Sequence, residues 1–142
     1  MSSHNPALTY SMAAALSAMG VLHFAKPKPF ESIIPPQLPG SARFYNFTSG
    51  AWEVVTGALL ANPSTRPAGG LSALALLAAV WPANFYQAYR DLESGKASTG
   101  KKIYHAVRLP LQIPVMRYAW SLYAEKTPNV GSLGKSSSRG RN

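Results

Sequence analysis

Five polar side chains set far apart along the chain hold most of what chemistry it offers: His23, Glu53, Asn84, Arg108 and Gln112. Glu53 is the only acidic residue inside any of the apolar stretches. A carboxylate in such surroundings must be paired, protonated or wetted, and Arg108 is the cation expected at a compatible depth. An ion pair between Glu53 and Arg108, extended by His23, Asn84 and Gln112, would answer that need. Such a cluster either locks helices together or forms a site for a small molecule, a quinone or a proton. No nucleophile–base triad, phosphate loop or carboxylate pair accompanies it, so no catalytic residue is assigned and the chain reads as having no catalysis of its own. His23 and His105 fall near one face, but two imidazoles without further ligands make no metal site.

The elements that position these residues show in the charge pattern. Only 13% of the 142 residues are charged, about half the share of an ordinary soluble domain. Met1 to Ala25 and Pro67 to Tyr89 hold no Asp, Glu, Lys or Arg. A helix without a charged face needs an apolar solvent all round. Four spans follow, at residues 8–24, 44–61, 69–89 and 103–123, each reaching about 25–31 Å at about 1.5 Å per residue. The fold class is all-α: one four-helix transmembrane domain over residues 1–124, with a Pro-rich first loop and a flexible basic tail over 125–142. The soluble alternative, a four-helix globular domain with a buried third helix, fits the charge gaps less well.

Topology then gives depth. The first helix ends, and the second begins, beside the loop holding Pro27, Pro29, Pro35, Pro36 and Pro39. That density forbids a regular helix and predicts a folded cap at headgroup level. The third helix leaves and the fourth enters on the same side, so His23, Glu53, Asn84, Arg108 and Gln112 all fall in one leaflet. Gly50 and Gly57 share a face of the second helix and predict close helix approach. Trp52 is a candidate wall of a ligand pocket, and Arg117 is expected to snorkel toward the far face. Pro82 and Pro110 free carbonyls near residues 78 and 106, to bend the helices or accept hydrogen bonds.

The net charge of +9 lies between apolar segments rather than along one face. It therefore predicts anionic lipid headgroups, not nucleic acid, as its partner. Seven loop-side cations against five opposite are too even to orient the chain. With no cysteine, thiol redox chemistry and disulfides are excluded. The first 25 residues lack the basic start of a secretory signal, so the segment reads as a retained helix.

Gly20-Val21-Leu22-His23-Phe24, Pro27, Phe30 and Ile34-Pro35-Pro36-Gln37-Leu38-Pro39 resemble the opening of a DoxX-like membrane protein. Ser49-Gly50-Ala51-Trp52-Glu53, Pro82-Ala83-Asn84 and Arg108-Leu109-Pro110-Leu111-Gln112 are similar to that family's later motifs, in order, over roughly Ala13 to Tyr123. The resemblance implies a four-helix transmembrane fold and places the family's polar positions on His23, Glu53, Asn84, Arg108 and Gln112. It also implies a link to quinone-dependent redox complexes or to membrane assembly factors. The expectation is a non-catalytic accessory subunit or assembly factor of a larger membrane complex, respiratory or redox in character, associated with other membrane subunits. The alternative is a quinone-linked oxidoreductase component. Either belongs in a bacterial plasma membrane or an organellar one such as the mitochondrial inner membrane.

Overall fold

The computed structural model describes residues 4–125, and the expected basic tail lies almost wholly outside them. The described chain is all helical: α1 (Pro6–Ala25), α2 (Pro27–Glu31), α3 (Ala42–Ala61), α4 (Arg66–Glu93) and α5 (Thr99–Ala124). The four long helices contain the four expected spans and outrun them, most of all α4 and α5. Their ends follow local chemistry. Asn5 caps α1 by accepting from the Ala7 amide at 3.0 Å, with Pro6 in the first turn. Ser41 and Ser98 cap α3 and α5 by accepting from Phe44 at 3.2 Å and Lys101 at 3.3 Å. Beyond α4, Gly95 takes a positive φ of 65°, the left-handed turn that stops a helix.

The Pro-rich loop corrects one expectation, because it does hold a short helix, α2. Pro27 and Pro29 fall in its first turn, where the missing amide would have no helical acceptor anyway. Pro82, Pro110 and Pro114 lie inside α4 and α5 without ending them.

Packing runs in a chain, α1 on α3, α3 on α4 and α4 on α5. Glycines set the first contact. A Cβ on Gly20 would sit 2.6 Å from the Gly50 carbonyl oxygen, and one on Gly50 would sit 2.6 Å from the Cβ of His23. The two backbones approach as closely as the glycines at 50 and 57 predict. The α3–α4 contact is fixed by Ser72, which bonds Thr56 Oγ1 at 2.7 Å and accepts from Trp52 Nε1 at 2.9 Å. Trp52 thus joins two helices and does not wall the cavity described below.

The bundle does not close. Every Cα of α1 stays more than 8 Å from α5, as does every Cα of α3. The α1–α5 seam is clasped at the end remote from α2. There Tyr118 bonds Thr9 Oγ1 at 2.7 Å, and His4 bonds Ser121 Oγ and Glu125 Oε2, each at 2.8 Å.

Candidate functional site: a polar cavity in an open bundle

On α3, Asn46, Ser49 and Glu53 recur at three and four residues, which puts them on one face. On α5, Arg108 and Gln112 are one turn apart. With His23 of α1 and Asn84 of α4 they line one cavity of about 290 Å³. All five residues singled out from the sequence meet there. Phe30, Ile33 and Ile34 of the Pro-rich segment cover one side of the cavity. That cover is held in three places. Phe30 stacks on His23 with ring centres 3.9 Å apart, Glu31 pairs with Arg43 at 3.6 Å, and Arg90 donates to the Ser32 carbonyl.

The polar groups form two separate networks facing each other, not the single one expected. On the α4–α5 side, Arg108 donates to Gln87 Oε1 at 2.7 Å and to Asn84 Oδ1. Asn84 Nδ2 donates to Gln112 Oε1 at 3.0 Å, and Gln112 Nε2 donates to the Leu77 carbonyl. That carbonyl lies next to the one at residue 78 that Pro82 leaves without its helical donor.

On the α1–α3 side, Asn46 Nδ2 donates to the His23 carbonyl at 2.9 Å, which turns its Oδ1 toward His23 Nδ1 at 2.6 Å. The imidazole therefore donates from Nδ1 and presents Nε2 to Glu53 Oε2, 3.5 Å away. Two lone pairs would face each other there unless a proton lies on one of them. At that separation, Glu53 Oε2 is buried and makes no hydrogen bond among the described residues.

The expected Glu53–Arg108 ion pair is not formed. Glu53 pairs with His23, and among the described residues no carboxylate lies within 4.0 Å of Arg108. No Cα of α3 comes within 8 Å of α5, so the two side chains line the cavity without pairing. His105 stands apart from the cavity. Its Nε2 bonds Asp91 Oδ2 at 2.9 Å, and Lys101 reaches the same carboxylate at 3.5 Å, pinning the α4–α5 end.

Sequence reading missed Asn46, which is only 1% exposed. Its spacing of seven from Glu53 on a helix was the available signal. The covering residues Phe30, Ile33 and Ile34 had none, because their placement depends on how the loop folds back.

The arrangement offers donors from Arg108 and, across the cavity, a buried Glu53 carboxylate oxygen beside His23 Nε2, around a space of about 290 Å³. Among the described residues no three His, Asp or Glu side chains gather as a metal cage. No curated protein and no solved structure matches the chain. Residues 12–123, which run from α1 through nearly all of α5 and include every residue of the polar cavity, match a family described as a domain of unknown function, DUF8561, and the chain belongs to that family.

Proposed function

We propose that this chain is a four-helix integral membrane protein that holds the polar head of a small lipophilic molecule in one leaflet, as a non-catalytic component of a larger membrane complex. The inside-out distribution of side chains supports the membrane part. Thr9, Asn46 and Thr56 are at most 1% exposed, while Val21, Phe44, Val55, Phe85, Ile103, Val107 and Leu111 are 49% exposed or more. A soluble bundle buries the second group and exposes the first. By length and composition, α1 and α4 are each able to cross a membrane. The polar residues Asn46, Ser49, Glu53, Arg108 and Gln112 of α3 and α5 line the cavity rather than the outer face.

The single observation behind the binding reading is that all four long helices send polar side chains into one cavity that the bundle does not fill. Ligand pockets usually measure roughly 300–1,000 Å³, so this one suits a head group of about one ring. A quinone head fits the chemistry: Arg108 donates to a carbonyl oxygen, with His23 and Glu53 on the opposite wall. The resemblance to DoxX-like proteins supports the same reading. The test is quinone content after purification in mild detergent. Wild-type protein is expected to retain quinone, and Glu53→Gln and Arg108→Gln to lose it while keeping their helix content. Equal content in all three would reject the quinone.

Association with other subunits has its own observation. Arg117 is exposed on α5, in an outward groove lined by Leu74, Trp81, Met116 and Trp120. A cation exposed on an apolar face suits a neighbouring membrane helix that supplies a carboxylate. Blue-native electrophoresis is expected to show a complex larger than the free chain. Loss of that complex in Arg117→Leu supports the assignment, and migration of the wild type as a free monomer sinks it.

A further inference from the structure

Beside the polar cavity, between α1 and α5, lies a second space of about 490 Å³, and Leu77, Leu111 and Val115 line both. The second space is apolar, flanked by Leu8, Met12, Ala15 and Leu16 of α1 and ending at Tyr118 of α5. From Leu111 to Tyr118 it follows seven residues, about 10 Å of helix. The Tyr118–Thr9 clasp closes its far end. One end is thus lined by Arg108, Glu53 and His23, and the other by side chains with almost nothing to offer but contact.

We propose that cavity and groove are one site for a single-chain amphiphile, whose head presents oxygen acceptors to Arg108 and whose chain enters from the bilayer through the α1–α5 seam. The inference rests on the binding reading above and extends it. Three observations carry it. At about 290 Å³ the cavity lies at the low end of ligand pockets, so the rest of a long-chain lipophile must lie elsewhere. The groove is the apolar space that adjoins it, with Leu77, Leu111 and Val115 lining both. Finally, Arg108 is half-buried and bonds the neutral oxygens of Gln87 and Asn84, with no carboxylate within 4.0 Å among the described residues, which leaves its charge open to an acceptor from outside the chain. The neutral carbonyl of a quinone and the carboxylate of a fatty acid both provide one.

The test uses the full chain in lipid nanodiscs, with three probes: a decyl-substituted benzoquinone, the same benzoquinone without its chain, and dodecanoate. Ala15 is exposed and lines the groove. Ala15→Trp is expected to weaken the tailed probe about tenfold, a steric penalty of ordinary overpacking size, and to leave the tailless quinone unchanged. Ser11→Phe, on the same wall, should give the same ranking. Which tailed probe binds the wild type, quinone or carboxylate, identifies the head.

A diazirine placed mid-chain supplies a measurement that needs no variant. Crosslinks at residues 11–16 and 111–118 support the inference, and crosslinks confined to the outward Trp81–Trp120 face overturn it. Both plugs leaving the tailed probe's affinity intact would also overturn it. If binding still depends on Arg108 in that case, the cavity reading survives and only the groove is lost. If no probe binds the wild type, both fall together.

Discussion

Asn46 shows how one unremarked side chain sets the chemistry of its neighbours. It satisfies the His23 carbonyl and fixes which imidazole nitrogen faces Glu53. Hydrogen bonds between helices in a membrane average about 0.6 kcal/mol with an upper value near 1.7. Asn46→Ala, which loses two, is expected to lower stability by about 1–2 kcal/mol in thermal unfolding, with Ser49→Ala as the milder comparison. Asn84→Ala removes the group that links Arg108 to Gln112 and should cost a similar amount. At this scale the sequence showed which residues matter but not whom they touch. Charge gaps and topology fix depth along a helix axis; they do not fix angle around it. Glu53 therefore looked like a partner for Arg108 at a compatible depth, when its neighbour across the α1–α3 contact is His23.

At the scale of elements, close approach is set where a side chain would meet backbone rather than a movable side chain. A Cβ on Gly20 would lie 2.6 Å from one backbone oxygen and 2.9 Å from the Val54 amide nitrogen. Gly20→Ala is expected to push α1 off α3 and destabilise by about 1–3 kcal/mol. Gly100→Ala, with its nearest neighbour 3.8 Å away in the first turn of α5, should be neutral or stabilise by up to about 1 kcal/mol. Chemical denaturation in one detergent compares the two directly. The helices themselves were readable from the apolar segments and the charge-free runs. Their extra turns were not, because residues 90–93 and 99–102 are polar and read as loop. They stay helical through contacts made in the folded chain, among them Asp91 with Lys101 and His105. The α2 helix was missed for a related reason: proline count was weighed, and proline position within the first turn was not.

For the whole molecule, the ordering of contacts α1–α3–α4–α5 leaves one seam unfilled. Nothing in the periodicity of a single helix reports that, since it depends on which pairs pack and which do not. The topology is open to a clean test because the chain has no cysteine of its own. Single cysteines at Ser32 and Ser94 should react with a membrane-impermeant maleimide from the same side of sealed vesicles, and one at Ser64 only from the other. Reaction of all three from one side would contradict a four-span bundle.

The claim that joins these scales is that the open bundle exists to hold a polar-headed lipophile. Native mass spectrometry of the protein ejected from nanodiscs tests it without assuming the ligand. The account predicts an adduct of constant mass on the wild-type chain, whatever lipid forms the disc, and its loss in Arg108→Gln with the helix content kept. A bare wild-type mass in every disc, or an adduct indifferent to Arg108, would contradict it.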